Sequence, residues 1–289
     1  MEILERRPYA YRTSFPLDEA LVRLPDGSQA RVLVKDLSRA ALDERARRAK
    51  PEFLYDPLRE IEVYTEILDG RELGTARCYG AVALPDKDRY LLFLEKVDGV
   101  ELWQKGGLEA WERVARWAAQ LHRDVEPPKS PHVVRYDGDY LRLWVDRALS
   151  FRGGAELERM AASYDVVVER LSALPRVFVH GELYASNVLV SGPRVCAVDW
   201  EMAGVGPGVL DLAALASAWG DEDAARLARA YGDELGRPVE QEDLDAARLH
   251  LAVQWLGWSR DWTPPREHAT DWLGEAVRAA ERLGLCGAS

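Results

Sequence analysis

Asparagine occurs once in the 289 residues, as Asn187, isoleucine three times, and lysine six times against 32 arginines. A G+C-rich coding background leaves this kind of bias, so the few lysines and the lone asparagine mark positions worth locating. The three cysteines, Cys78, Cys196 and Cys286, are far apart and form no Cys-x-x-Cys pair. That excludes a disulfide framework and a cysteine zinc site, and makes a reducing cytoplasm the expected location. None of the five histidines makes a His-x-x-x-His pair, which removes a zinc-hydrolase reading. The longest apolar stretches, residues 90–94 and 210–219, fall well short of the ~18–20 residues that span a bilayer, so no membrane association is expected. The first 15 residues carry no apolar run of leader length. Positive charge is in deficit, 38 basic residues against 49 acidic for a net charge of −11, which argues against a general nucleic-acid partner. Internal repeats and low-complexity segments are also missing.

What is present is 47% hydrophobic and patterned, too apolar for disorder and long enough for one large or about two modest domains. The front third reads as strands. Residues 20–24 and 30–35 flank Pro25-Asp26-Gly27-Ser28, a hairpin signal in which Asp-Gly supplies the turn. Residues 38–50 read as a charged helix stopped by Pro51. Asp56-Pro57 opens a second helix, with Asp at the cap and Pro at the first helical position, and an apolar stripe of Leu58, Ile61, Tyr64 and Leu68. Strands follow over 77–84 and 89–96. Past Val97-Asp98-Gly99 the periodicity turns helical over 108–122, 140–150 and 155–174, and again from Val209 to Leu285. A strand island at 176–179, 188–190 and 195–199 interrupts it. Strands first and helices second predict an α+β protein of two lobes, residues 1–97 and 98–289.

The island carries the chemistry. His180-Gly181-Glu182 leads through a polar loop to Asn187, then a tight hairpin over Ser191-Gly192-Pro193-Arg194 returns to Asp199-Trp200-Glu201. The hairpin brings Asn187 and Asp199 together at its open end, and two hard oxygen ligands beside phosphate oxygens are what Mg²⁺ takes. Glu182 adds a second carboxylate over the same cavity. Phosphoryl transfer needs that set: a metal clamp on the phosphates and a carboxylate that orients the attacking hydroxyl. As plain structure, Asn187 is a loop residue and Asp199 a strand-end carboxylate; the rarity of Asn in this chain favours the ligand reading. Two decoys are set aside. His122-Arg123-Asp124 lies at a helix end with Lys129, not Asn, five residues on. Gly204-x-Gly206-x-Gly208 lacks the last glycine of a dinucleotide fingerprint and reads as a loop.

This segment resembles the aminoglycoside phosphotransferase and choline kinase family, a branch of the protein-kinase-like fold, whose pattern is His-Gly-Asp-x-x-x-x-Asn followed by Asp-Phe/Trp-Glu. His180, Gly181, Asn187, Asp199, Trp200 and Glu201 match, and Gly206-Pro207 with Asp211-Leu212-Ala213 resemble the family's downstream segment. The resemblance covers most of the chain. It implies a small antiparallel-sheet lobe, a larger helical lobe, ATP and Mg²⁺, and a small-molecule acceptor, namely a sugar, an aminoglycoside-like molecule or an amino alcohol. It assigns metal binding to Asn187 and Asp199 and catalysis to these two with Glu182. Asp211 is implied to brace the loop from a helix N-terminus, and His180 to brace rather than act as base. The departure is Glu182, where the family has Asp. One extra methylene moves the carboxylate by about 1 Å, and a displacement of that size can cost ~10²-fold in rate. Three outcomes stay open: a loop that compensates, a slow enzyme, or a nucleotide-binding protein or regulatory module without transfer activity. Nucleotidyl transfer is a weaker third class.

In the first lobe Lys35 ends the strand of Val32, Leu33 and Val34, and resembles the nucleotide-phosphate lysine of the fold; the plain alternative is an edge-strand lysine in a surface pair. Its acidic partner must come from the next helix. At 100° per residue Glu60 lies beside the apolar stripe, whereas Glu62 and Glu66 fall on the far side, which selects Glu60. The glycine-rich phosphate loop is missing, since residues 9–17 hold no glycine; Thr13 and Ser14 are the hydroxyl donors available there. The resemblance implies a hinge at 93–97, with backbone groups near Glu95 and Val97 meeting the adenine edge. For the acceptor, Trp255, Trp258 and Trp262 share a helix face, with Trp272 nearby. They read either as aromatic core or as a wall for a sugar ring or a cationic amine. Glu201, Asp261, Glu267 and Asp271 make the same region acidic.

Overall fold

In the computed structural model, which describes residues 2–9, 14–42, 44–260 and 270–285, one antiparallel sheet occupies the start of the chain. Its strands are β1 (Glu2–Pro8), β2 (Leu17–Arg23), β3 (Gln29–Asp36), β4 (Cys78–Leu84) and β5 (Arg89–Glu95), in the order β1-β2-β3-β5-β4. The expected hairpin is β2–β3. Asp26 closes its turn by accepting from the Ser28 N–H at 3.0 Å, and Gly27 takes φ +84, where a side chain is strained. Alternation then sorts the two faces. Val32 and Val34 pack with Ala20, Val22, Leu91 and Phe93 on one side, which turns Leu33 and Lys35 to the other.

β1 has no apolar alternation to announce it. Its residues are nearly all exposed, and ion pairs help fasten it to β2: Arg6–Asp18 at 2.5 Å, Arg7–Glu19 at 2.9 Å and, from the β2 side, Arg23–Glu2 at 2.6 Å.

Between β3 and β4 run α1 (Glu44–Ala49) and α2 (Pro57–Glu62), the latter continuing as a π-turn over Val63–Ile67. The helix expected over 38–50 is shorter because its first residues are used otherwise. Ser38 bonds Asp36 through its N–H at 3.0 Å and accepts from the Tyr90 N–H at 3.2 Å, while the Arg39 and Ala40 N–H groups bond the Asp88 carboxylate at 3.2 Å each. The α2 cap is as expected: Asp56 accepts from the Leu58 N–H at 3.0 Å. Its other oxygen meets His132 Nδ1 at 2.9 Å. Asp56→Ala is therefore expected to lower stability by about 1–2 kcal/mol, read as the shift in a chemical-denaturation midpoint.

The remainder is mostly helical: α3 (Leu108–Asp124), α4 (Gly138–Phe151), α5 (Ala155–Ala162), α6 (Asp165–Ala173), α7 (Val209–Ala216), α8 (Asp221–Leu235), α9 (Gln241–Leu256) and α10 (Trp272–Arg282). The single helix expected over 155–174 is two, because the chain turns at Tyr164, whose buried hydroxyl bonds His250 Nδ1 at 2.8 Å. Six short strands complete the second lobe: β6 (Val100–Glu101), β7 (Val134–Arg135), β8 (Arg176–Val179), β9 (Val188–Ser191), β10 (Arg194–Ala197) and β11 (Gly204–Pro207). They form two sheets, β10-β9-β6 and β7-β11-β8.

The Gly204-x-Gly206 segment is thus a strand and not the expected loop. A Cβ at Gly204 would lie 2.5 Å from Tyr136 Cε2, and one at Gly206 2.6 Å from Tyr136 Cβ, so these glycines serve close packing and not ligand contact. No helix among the described residues is long and apolar enough to cross a membrane. The architecture is the expected two-lobed α+β fold, an antiparallel-sheet lobe followed by a mainly helical one.

Candidate active site

A cleft of about 390 Å³ lies under the sheet, lined by Leu33, Lys35 and Glu60 on one side and by Asn187, Leu189 and Asp199 on the other, with Glu95 and Val97 at its wall. Its centre is an ammonium among carboxylates. Lys35 Nζ lies 2.6 Å from Glu60 Oε2, 2.5 Å from Asp199 Oδ1 and 3.5 Å from Glu201 Oε1. The three carboxylates come within 4.8 Å of one another, close enough to hold a metal ion, but the cation between them is Lys35. Burial would lower the lysine's pKa; Asp199, Glu60 and Glu201 together override it and carry it well above the ordinary value. Burial lifts Glu60 to about 7 against the pull of Lys35. Burial would also raise Asp199, yet the adjacent Lys35 holds it below the usual carboxylate range.

Each side chain is delivered by local structure. Lys35 comes from the cleft face of β3 and Glu60 from α2. α2 is tied to the other lobe by its own Arg59, a buried guanidinium that donates to the carbonyls of His132 at 2.7 Å and Glu201, and to that of Leu54 in the same lobe at 2.9 Å. Asp199 ends the β9–β10 hairpin in the left-handed region, φ +67, an uncommon state for a residue with a side chain. Asn187 precedes β9. Its backbone carbonyl accepts from the Val198 N–H at 2.9 Å, which ties the two candidate ligands together. Its side-chain amide donates to the Glu182 carbonyl at 3.0 Å, leaving the side-chain oxygen as the available ligand atom.

The loop between β8 and β9 is braced from below. Asp211, fully buried on α7, accepts from the His180 N–H at 2.7 Å and the Gly181 N–H at 2.8 Å, and meets His122 Nε2 at 3.0 Å. Gly181 sits at φ +84, and a Cβ there would lie 2.1 Å from the Tyr136 hydroxyl. The His180 ring meets the Val198 carbonyl through Nε2 at 3.0 Å and accepts from the Glu182 N–H at Nδ1, and burial depresses its pKa, which keeps the ring neutral. Glu182 is held at both ends of its peptide: its N–H meets His180 Nδ1 at 3.2 Å, and its carbonyl accepts from Asn187 and from the Tyr184 N–H at 2.7 Å. Its half-buried carboxylate carries no hydrogen bond among the described residues. Burial, with Asp199 and Glu201 nearby, pushes it up to about 8 against Lys50 and Lys35.

A family model for the phosphotransferase enzyme family matches residues 20–250. The chain belongs to that family. A search of curated proteins finds no match. Among solved structures, this phosphotransferase is similar to a choline kinase from Streptococcus pneumoniae, at 16% identity and a TM-score of 0.66, covering 99% of this chain and 94% of that one. It is also similar to a choline kinase from Cryptosporidium parvum, at 15% identity and a TM-score of 0.62, covering 97% and 90%. A third is an aminoglycoside phosphotransferase from Streptomyces rimosus in complex with ADP and streptomycin, at 17% identity and a TM-score of 0.57, covering 88% and 93%. At these identities the likeness is one of fold, and it is the fold expected.

The structure departs from several site expectations. Glu201, expected at the acceptor, is buried between Lys35 and Lys50 and belongs to the ion cluster. Trp258, expected as acceptor wall, is core: it is buried and stacks on Trp144, centroids 5.5 Å apart and planes at 5°. Thr13, Trp262, Asp261 and Glu267 lie outside the described residues, and Ser14 is half-buried in the β1–β2 connection. Glu95 lines the cleft, but its N–H donates to the Arg77 carbonyl at 2.8 Å and its carboxylate clasps Arg194 at 2.7 and 2.8 Å. The N–H of Val97 has no partner among the described residues.

Sequence reasoning passes over Arg59, Lys50 and His122. The last is set aside with its tripeptide, although a histidine on a buried helix face and a helix-start Asp are readable together as a brace. It also leaves out Tyr184, just past Glu182, whose phenol oxygen accepts a 2.6 Å hydrogen bond from the indole of Trp255.

Proposed function

We propose that this phosphotransferase is an ATP- and Mg²⁺-dependent small-molecule kinase acting on a hydroxyl of a sugar, an aminoglycoside-like molecule or an amino alcohol. Residues 1–97 bind the nucleotide and residues 98–289 carry catalysis and the acceptor. The single observation behind this reading is Lys35 bridging Glu60 and Asp199 in a cleft that also holds Asn187. In that arrangement Lys35 meets the nucleotide phosphates, and Glu60 keeps it extended. Val97 offers its free N–H to the purine edge.

Asn187 and Asp199 are the residues to hold the metal. One has its side-chain oxygen left available; the other has its carboxylate kept ionised. When bound, Mg²⁺ neutralises charge on the β- and γ-phosphates. Glu182, whose carboxylate is unengaged, takes the acceptor proton. The acceptor oxygen forms its bond to the γ-phosphorus as the bond to the β–γ bridging oxygen breaks. The electron pair leaves on ADP, and the proton ends on Glu182.

For the acceptor, the ring surfaces beside Glu182 are Tyr184 and Trp255, with Trp255 stacked on Trp272 at 5.6 Å. Aromatic faces next to carboxylates suit a ring with amino groups or an alkylammonium alcohol.

The test is a thermal-shift titration with ATP, with and without Mg²⁺, followed by ADP release over a panel of amino sugars, sugars and choline-like alcohols. Metal-dependent stabilisation with turnover on one acceptor class is the expected result. No nucleotide effect sinks the kinase reading, and binding without turnover on any acceptor favours the regulatory alternative.

A further inference from the structure

One buried cation in this region has no role in the scheme above. Lys50 follows α1 and reaches the ion cluster from the side opposite Lys35. Its side chain is 10% exposed, and Nζ bonds Glu201 Oε2. The ring of Phe15 lies beside both lysines, with Lys50 Nζ 5.6 Å and Lys35 Nζ 5.9 Å from its centroid.

Three observations set Lys50 apart from an ordinary structural pair. First, an ammonium has three donors, and among the described residues this one uses a single hydrogen bond plus an aromatic face. A buried cation left so incompletely partnered calls for an anion. Glu201 is under-used in the same way, since its Oε1 is buried with no hydrogen-bond partner.

Second, most ion pairs among the described residues are built from arginine. Apart from Lys35 and Lys50, Lys96 is the only lysine in an ion pair among the described residues. Arginine suits a fixed fork, whereas lysine is a compact charge on a flexible stem that can change partners.

Third, the β1–β2 connection lacks the glycines whose backbone N–H groups would cradle phosphates, and Phe15 is seated there instead. Charge that a glycine-rich loop would meet has to be met by side chains. Lys50 holds one oxygen of Glu201 while Lys35 lies 3.5 Å from the other, which puts a second ammonium one carboxylate away from the first.

We propose that Lys50 is a second phosphate-binding lysine, parked on Glu201 in the ligand-free protein, which turns to the oxygens of the terminal phosphoryl group when a nucleoside triphosphate binds. This rests on the kinase reading above. It assigns Lys35 and Lys50 different targets. Lys35, fixed by two carboxylates, serves both diphosphate and triphosphate. Lys50 distinguishes them, because the diphosphate lacks the group it meets.

The experiment is calorimetric titration of the full chain with Mg²⁺-ADP and with a Mg²⁺-bound non-hydrolysable ATP analogue, for the wild type, Lys50→Met and Lys50→Arg. Removing a charge-assisted hydrogen bond that only the triphosphate accepts should lower triphosphate affinity by roughly tenfold to a hundredfold. Diphosphate affinity should stay within about twofold, and Lys50→Arg should recover part of the loss. Equal weakening of both nucleotides, or of neither, makes Lys50 a structural ion and overturns the proposal. A wild type that binds neither nucleotide fails the kinase reading itself, and that result is distinct from the last. If Lys50→Met does not fold, Glu201→Gln frees Lys50 in place and should raise the ratio of triphosphate to diphosphate affinity; an unchanged or lower ratio overturns the proposal as well.

Discussion

Glu182→Gln should lower phosphoryl transfer by about 10²- to 10⁴-fold, the usual range for removing a general base, while nucleotide affinity stays within about twofold of wild type. The amide keeps the shape of the side chain and loses only its capacity to take a proton. The carboxylate makes no hydrogen bond among the described residues, so the exchange breaks none there. Glu182→Asp should also be slower, by about 10²-fold, and not faster. The peptide of Glu182 is pinned at both ends by His180, Asn187 and Tyr184, so shortening the side chain withdraws the oxygens by about 1 Å with nothing to bring them back.

The pH dependence has a definite sign. Only the ionised carboxylate accepts a proton, and burial raises its pKa to about 8. The rate therefore rises with pH, and the limb lies below that value once a metal cation adds its field. Stability runs the other way. A carboxyl whose pKa is raised on folding favours the native state in acid and loses that contribution as pH rises through the folded value. In metal-free protein, Glu182→Gln should accordingly raise the melting temperature more at pH 9 than at pH 5. A uniform shift at both pH values would count against burial of this carboxyl as the cause.

Asp211→Ala is expected to cost about 3–5 kcal/mol, the range for removing one partner from a buried ionic network, and to abolish activity with it. The side chain is fully buried. Its loss leaves two backbone donors, His180 and Gly181, and the ring of His122 without their acceptor. Against a typical total stability of about 5–15 kcal/mol that is a large fraction. Asp211→Asn keeps one acceptor oxygen and should fall between. Burial would raise the Asp211 pKa, but His122 overrides it and holds the carboxylate below its ordinary range. That contribution is present above the ordinary carboxyl pKa and is lost as pH falls through the depressed value. Denaturation curves of Asp211→Asn should show a flatter acid limb than wild type, and an identical limb would remove Asp211 from this role.

How far these features can be read from residues alone depends on whether the signal is local. The Asp-Gly hairpin, the Asp56 cap and the β9–β10 turn are each decided within a few residues, and all three form as read. Helical phase separates Glu60 from its neighbours, and it is the one that meets Lys35. Long-range features are not legible. β1 has no buried face, and cross-strand charge pairs help to seat it. Gly204 and Gly206 look like a loop until Tyr136 lies against them. Glu201 reads as an acceptor residue because its motif position says nothing of a lysine 151 residues earlier. Trp258 has a helical spacing from Trp255 but lies just past the end of α9, and Trp144 of α4, stacked on it, decides that it is core.

The guanidinium of Arg59 gathers the nearby carbonyl of Leu54 and carbonyls from two distant segments, one of them two residues past Asp199. The element carrying Glu60 and the hairpin carrying Asp199 are therefore two ends of one tie, and displacing either pulls on the other. The ordering entropy of the charged cluster is met during folding, before any ligand arrives. The helix that carries Glu60 is therefore already seated before a nucleotide arrives, and only side chains are left to move.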